Sequence, residues 1–171
     1  MNPPTTPLTT FNANPFIQRG GSPSISVMIV DDDPAVLTVG KAILSSLPYH
    51  IYEARSGESA LSMLASLASE NQLPHLIVLD LTMPGGISGF DTLQGIQALY
   101  PTVGVLACSG FLESSAHDLC CALGFLDCSE KPYTTEMLTT TVRRCVMKVQ
   151  DQLSNAPEEQ ASSEMFVTNQ Y

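Results

Sequence analysis

The chain has 171 residues, enough for one ordinary domain with terminal extensions but too few for two full domains. Its hydrophobic fraction of 44% predicts a folded core, and its net charge of −10 argues against direct binding to nucleic acid or to an anionic membrane surface. No apolar run approaches a membrane span, and the five cysteines lack CxxC spacing, as is typical of reduced thiols. We therefore expect a cytoplasmic protein without a membrane span.

Alternating apolar runs and amphipathic segments organise the middle of the chain. The apolar runs predict strands at Ile25–Val30, His50–Ala54, Leu76–Leu79, Val103–Cys108 and Phe125–Cys128. The amphipathic segments predict helices at about 34–47, 57–69, 90–99, 113–123 and 135–149, with Asp33 and Thr134 as N-caps of the first and last. This alternation predicts an α/β domain with a parallel sheet and helices on both of its faces.

The two ends of the chain have a different composition from this middle part. Residues 1–24 are rich in Pro, Thr, Asn and Gly and show little periodicity, which predicts a disordered leader. Residues 150–171 are polar and acidic, which predicts a disordered tail. The predicted domain is therefore residues 25–149.

Reactive side chains follow four of the predicted strands. Asp31 and Asp32 come after the first strand, Asp80 after the third, Ser109 after the fourth and Lys131 after the fifth. Because ligands bind at the carboxyl ends of strands in such sheets, we expect these side chains to lie together.

A group of three carboxylates is electrostatically costly unless a cation lies among them. Carboxylate oxygens with open positions for water and phosphate suit Mg²⁺. Ser109 and Lys131 add a hydroxyl and an ammonium, the donors that the oxygens of a transferring phosphoryl group require. The pattern predicts a phosphoryl-transfer site.

Four segments, VMIVDDDP, LIVLDLTMPGG, VLACSG and EKPY, occur in the order and spacing of a known family. Over about residues 25–149 the chain resembles the receiver domain of two-component response regulators, of the single-domain type seen in chemotaxis. The resemblance implies a flavodoxin-like, doubly wound five-stranded parallel sheet with strand order 2-1-3-4-5.

The resemblance also assigns roles at the strand ends. Asp80 would accept a phosphoryl group from a histidine kinase or a histidine phosphotransfer protein. Mg²⁺ would be bound directly by Asp32, Asp80 and the backbone carbonyl of Thr82, and by Asp31 mainly through water. Lys131 would pair with a phosphoryl oxygen.

Further features of the resemblance concern the response to phosphorylation. Ser109 would move to hydrogen-bond the phosphoryl group, and the Lys131–Pro132 peptide is expected to be cis. Relatives carry an aromatic residue three positions before the lysine, where this chain has Cys128. Phe111 lies where a side chain can shield the acyl phosphate from water, although packing onto the fourth helix explains it equally well.

Three functions fit these residues. The first is a competent single-domain response regulator, which assists its own phosphorylation without being a conventional enzyme and signals through a downstream protein target. The second is a degenerate receiver that only binds partners. The third is an aspartyl-phosphate phosphatase, but that class needs a second Asp two residues after the nucleophile, where this chain has Thr82. A zinc site at His117, Cys120 and Cys121 lacks a fourth ligand in the sequence.

Overall fold

The computed structural model describes residues 25–110 and 116–155. The strands are β1 Ile25–Val30, β2 Tyr49–Ala54, β3 Leu76–Asp80, β4 Gly104–Ser109 and β5 Asp127–Glu130. The helices are α1 Pro34–Leu44, α2 Gly57–Ser69, α3 Gly89–Leu99, α4 Ala116–Leu123 and α5 Thr135–Ser154. The predicted leader (1–24), most of the predicted tail, the predicted start of the fourth helix and Phe111 lie outside the described residues.

The five strands form one parallel sheet in the order β2-β1-β3-β4-β5. All residues of β3 and β4 are buried, because these strands are central and are covered on both sides. The predicted doubly wound sheet and its strand order are confirmed.

Two separate hydrophobic cores cover the two faces of the sheet. On one face, Leu37 and Leu44 of α1 and Leu138 and Val142 of α5 pack against alternate strand residues such as Val78. On the other face, side chains of α2, α3 and α4 pack against the intervening strand residues, among them Leu64, Ile96, Cys120, Ile77 and Leu79. Because successive side chains of a strand point to opposite faces of the sheet, adjacent residues belong to opposite cores, and the sheet is packed on both faces.

Side-chain caps fix the starts of the first and last helices as predicted. The Asp33 carboxylate accepts a hydrogen bond from the Ala35 amide, and Pro34 occupies the first helical position. The Thr134 hydroxyl accepts from the Met137 amide at the start of α5. Each of these helices begins shortly after a strand ends, α1 after β1 and α5 after β5. The caps therefore also fix the two loops that lie beside the candidate site.

The fifth strand begins later than the sequence pattern predicted. Phe125 belongs to the turn that ends α4, where Gly124 has a φ of +100° and the Phe125 amide donates to the carbonyl of Cys120. The strand itself is Asp127–Glu130, an edge strand whose polar side chains alternate between buried and more exposed positions. Since the prediction relied on continuous apolar residues, it placed the strand on Phe125–Cys128.

Two helix ends also differ from the prediction. α1 ends at Leu44, and Leu47, which was placed in the helix, is buried after it. α5 continues to Ser154, past the predicted end at 149 and into the segment assigned to the tail. Its last turn consists mostly of polar residues, which are compatible with a helix. Because they continue no apolar stripe, the sequence pattern did not predict that the helix extends this far.

Candidate functional site

Three carboxylates meet at the carboxyl ends of β1 and β3. Asp31 is 2% exposed and Asp80 is 6% exposed, while Asp32 is open to solvent. One carboxylate oxygen of each lies within 4.8 Å of the others. The structure therefore brings together the three acidic residues that the sequence singled out.

Backbone hydrogen bonds orient the two buried carboxylates. The Asp33 amide donates to Asp31 Oδ1 at 3.0 Å, and the Thr82 amide donates to Asp80 Oδ1 at 3.0 Å. Each carboxylate thus keeps its second oxygen, Oδ2, for other partners. Thr82, whose backbone carbonyl is a predicted magnesium ligand, is exposed.

Lys131 joins the two buried carboxylates. Its Nζ forms an ion pair with Asp31 Oδ2 and lies 2.9 Å from Asp80 Oδ2. The Lys131–Pro132 peptide is cis, as predicted. The lysine side chain is only 18% exposed, so its positive charge lies inside the site rather than in solvent.

Burial and pairing act on the protonation of this group in opposite directions. Burial raises the pKa of Asp31, and the hydrogen bonds from Lys131 and from the Asp33 amide only partly offset that effect. For Lys131, burial would lower the pKa, but hydrogen bonds and charge attraction to Asp31 and Asp80 outweigh it and raise the pKa. Lys131 is therefore cationic beside Asp80 at neutral pH.

Ser109 is the last residue of β4 and is 6% exposed. Its carbonyl accepts a hydrogen bond from the Lys131 amide at 2.8 Å, so the serine and the lysine are anchored to each other through the backbone. β4 is paired with β3 up to Asp80 and Cys108, which puts Ser109 one position beyond the level of Asp80. All five strand-end residues that the sequence selected thus lie at one edge of the sheet.

The donor set fits Mg²⁺. Three carboxylates around a single lysine leave an excess of negative charge, and hard oxygen donors with open positions are what this ion prefers. Asp32, which is exposed, offers a carboxylate that Lys131 does not occupy.

The loop after β3 is held close to the site by residues that the sequence analysis missed. A side chain at Gly89 would place its Cβ 2.6 Å from the carbonyl oxygen of Asp80, so only glycine permits this approach of α3. Glu58 of α2 accepts a hydrogen bond from the Ile87 amide at 2.8 Å. The close approach of α3 to the end of β3 depends on tertiary packing, so no local sequence motif indicates it.

Cys128, at the position where the resemblance implies an aromatic residue, is half-buried. It packs against the core that contains Cys120 of α4, and burial raises the pKa of Cys128 to about 11. The candidate zinc ligands His117, Cys120 and Cys121, for which the sequence offers no fourth ligand, do not converge, because Cys120 is directed into the core while Cys121 is exposed beside His117.

Another buried carboxylate lies outside this site and was not selected from the sequence. Asp127, at the start of β5, is 3% exposed and pairs with Arg144 of α5 and His117 of α4. Its partners are distant in sequence, so only the tertiary structure reveals the cluster.

The sheet is doubly wound and parallel, and the carboxyl ends of its strands carry an acidic pocket, a lysine and a hydroxyl. This combination is typical of α/β domains that take part in phosphoryl transfer. The sequence matches the family described as the response regulator receiver domain over residues 27–143. The chain belongs to the response regulator receiver domain family, which confirms the resemblance. Members of this family are signalling domains rather than conventional enzymes.

Two curated proteins are similar to this chain over most of its length. The chain is 32% identical over 130 residues to the sensor kinase CckA of Brucella abortus, a match that covers 74% of this chain and 13% of the relative. It is 28% identical over 123 residues to the transcriptional regulatory protein ZraR of Escherichia coli K12, covering 72% of this chain and 26% of that protein. The match therefore spans only a small part of these relatives.

Solved structures show the same fold. The signal receiver domain of a putative LuxO repressor protein from Vibrio parahaemolyticus superposes with a TM-score of 0.67 at 24% identity, covering 78% of this chain and 99% of that one. A CheY-like receiver domain from Methanospirillum hungatei superposes with a TM-score of 0.65 at 21% identity, covering 75% and 98%. Within the described residues, none of the helices is long and apolar enough to cross a membrane.

Proposed function

We propose that this chain acts as a response regulator of a phosphorelay, which accepts a phosphoryl group on Asp80 and signals through altered protein contacts. The observation that carries the proposal is the contact of Lys131 Nζ with Asp80 Oδ2 at 2.9 Å inside a cluster of three carboxylates. A lysine held against an acidic side chain can instead pair with a phosphoryl oxygen once that side chain is modified.

The proposed reaction uses residues that the fold has already oriented. A carboxylate oxygen of Asp80 attacks the phosphorus of a phosphohistidine, the phosphorus–nitrogen bond breaks, and an acyl phosphate forms on Asp80. Lys131 pairs with one phosphoryl oxygen and the Ser109 hydroxyl donates to another. The Thr82 amide, which already donates to Asp80 Oδ1, keeps the carboxylate in place.

Mg²⁺ would be held directly by Asp32, Asp80 and the backbone carbonyl of Thr82, with Asp31 acting through water. When bound, this ion neutralises negative charge that develops on the phosphoryl oxygens. Asp31 contributes mainly by pairing with Lys131, which keeps the lysine beside Asp80.

The phosphoryl donor in this proposal is a histidine kinase or a histidine phosphotransfer protein. An open, mainly apolar groove of about 400 Å³ lies next to the site, lined by residues of α1 and of the segment after β5: Ala35, Val36, Val39, Lys131, Pro132 and Tyr133. Such a groove gives a donor protein an apolar surface on which to place its histidine near Asp80.

Output through a downstream protein target, without direct contact to nucleic acid, is supported by the net charge of −10. A cytoplasmic location is supported by the state of the cysteines, since all five are free thiols.

Incubation with acetyl phosphate and Mg²⁺ tests the central claim. Intact-mass spectrometry should show addition of one phosphoryl group to the native chain and none to Asp80→Asn. Asp33→Asn is a matched control, because Asn also caps a helix and the residue lies beside the site. Undiminished labelling of Asp80→Asn would reject Asp80 as the acceptor.

A further inference from the structure

A second group of reactive side chains lies on α4 and β5, away from the carboxylate cluster. Cys121 and His117 are one helical turn apart on α4, and Cys121 Sγ lies 3.9 Å from His117 Nδ1. The other ring nitrogen, His117 Nε2, lies 3.2 Å from Asp127 Oδ1. The imidazole of His117 therefore lies between the exposed thiol of Cys121 and the buried carboxylate of Asp127.

The carboxylate at the inner end of this row is held rigidly. Arg144 contacts Asp127 Oδ2 through Nε at 2.9 Å and through Nη2 at 2.7 Å. The Cys128 amide donates to Asp127 Oδ1 at 2.8 Å. Because the arginine occupies Oδ2, Oδ1 is the oxygen that faces the imidazole and fixes its orientation.

Another carboxylate lies near the same ring. Asp118 Oδ1 is 3.7 Å from His117 Nδ1, but the Asp118 side chain is fully exposed, so water screens its charge. Asp127 is buried and hydrogen-bonded, and it is the acidic partner that can orient the ring.

We propose that Cys121 is a nucleophilic thiol that exchanges with small-molecule disulfides, with His117 as its base and Asp127 as the group that orients the base. A thiol becomes an effective nucleophile when an adjacent base takes its proton and a third group holds that base. Cys121 is exposed on α4, so a small disulfide can reach it.

The other described cysteines lack these features. Burial raises the pKa of Cys108 to about 12, and it raises the pKa values of Cys128 and Cys145 to about 11. Cys120 is buried, and burial raises its pKa as well. Their thiols therefore stay protonated near neutral pH and are buried or, at Cys128, half-buried, whereas Cys121 is exposed, which makes Cys121 the site of selective reaction.

The exchange step balances without any other reagent. His117 Nδ1 takes the proton of the Cys121 thiol, and the thiolate attacks one sulfur of the disulfide. A new sulfur–sulfur bond forms to Cys121 while the bond within the small molecule breaks. The departing thiolate takes the proton from the His117 imidazolium and leaves as a free thiol.

The test measures the rate at which glutathione disulfide modifies each cysteine of the full native chain near neutral pH, by peptide mass mapping after acid quench. Cys121 should react first and carry a single glutathione. His117→Gln, which can still hydrogen-bond to Asp127, should slow this reaction by about fivefold or more, because the base is lost. Asp118→Asn should change the rate by less than about twofold, because that carboxylate is screened.

Two further measurements separate a relay from a structural bridge between α4 and β5. When the unsubstituted chain is unfolded in urea, Cys121 should no longer react faster than the other cysteines, since the three residues no longer lie together. Asp127→Asn should slow the modification of Cys121 in a chain whose circular dichroism remains native. Equal rates for Cys121 in the native chain and in folded His117→Gln would overturn the proposal and leave the His117–Asp127 contact a purely structural one.

Discussion

Lys131 and Asp31 form an ion pair although they are 100 positions apart in the sequence. The same ammonium group also contacts Asp80, so a single cation holds two buried carboxylates together. A phosphoryl group on Asp80 would compete with both contacts, because its oxygens carry more negative charge than a carboxylate. We therefore expect the lysine to change partners if Asp80 is phosphorylated.

Replacing Lys131 by alanine should separate phosphoryl acceptance from the response to it. We expect Lys131→Ala to be labelled by acetyl phosphate, because the nucleophile and the carboxylates remain. NMR shift changes upon labelling, which should reach residues 112–149 in the native chain, should be confined to the pocket in this variant. Lys148→Ala is the matched control, since Lys148 is an exposed lysine of α5 that donates to the Leu126 carbonyl. Native-like shift changes in Lys131→Ala would show that the lysine does not couple the site to that surface.

The two neighbouring aspartates should differ in their effect on Mg²⁺ binding. Asp31→Ala removes an outer-sphere group and should weaken the affinity by about tenfold. Asp32→Ala should weaken it further, because a direct ligand is lost. The chain has no tryptophan, so isothermal titration calorimetry is the suitable measurement. Equal affinities in the two variants would contradict the assignment of direct and indirect ligands.

A charge in the groove beside Lys131 should impair only phosphoryl transfer from a protein donor. Val39 is 52% exposed and lines this groove, so Val39→Glu should slow transfer from a phosphorylated histidine phosphotransfer protein while acetyl phosphate labelling stays unchanged. Leu119→Glu is the control, because Leu119 is 60% exposed but lies on α4, on the opposite face of the sheet from α1. If Leu119→Glu slowed the transfer and Val39→Glu did not, the donor would dock elsewhere.

Stability should decrease in mild acid because of His75. Burial lowers the pKa of His75 below its usual value of 6.5, and its Nδ1 accepts a hydrogen bond from the Ser26 amide. The unfolded chain therefore takes up a proton at a higher pH than the folded chain does. Above a pH of about 6.5 neither state is protonated at His75, and the free energy of unfolding is unaffected. Below that pH the unfolded chain binds more protons, so the free energy of unfolding decreases progressively.

Urea unfolding at several pH values measures this effect. Folded His75→Gln should show a smaller loss of unfolding free energy between a pH of about 7.5 and about 5.5 than the native chain, because the titrating group is gone. His50→Gln, which alters an exposed histidine on β2, should keep the native pH dependence. An identical loss in all three chains would show that His75 does not set the slope.

The sequence predicted the fold and the composition of the candidate site because both depend on local patterns. In strands such as β3, four consecutive apolar residues are followed directly by a reactive one, Asp80, so the position of the strand end could be predicted from the sequence. Asp127 was missed because its partner Arg144 is 17 positions away and a single acidic residue between apolar neighbours carries no signal. β5 was placed too early for a related reason, since its alternating polar residues follow the apolar turn at Phe125.

The backbone of Ser109 is fixed on both sides of the strand end. Its carbonyl accepts from the Lys131 amide at 2.8 Å, and the preceding Cys108 carbonyl accepts from the Leu81 amide at 2.9 Å. If Ser109 has its proposed role, we expect its hydroxyl to reach a phosphoryl group on Asp80 through a change of side-chain rotamer rather than a shift of its backbone. Such a change would keep both of these backbone hydrogen bonds, so we expect the response to phosphorylation to need no rearrangement of the strands and to be fast compared with the making or loss of an acyl phosphate.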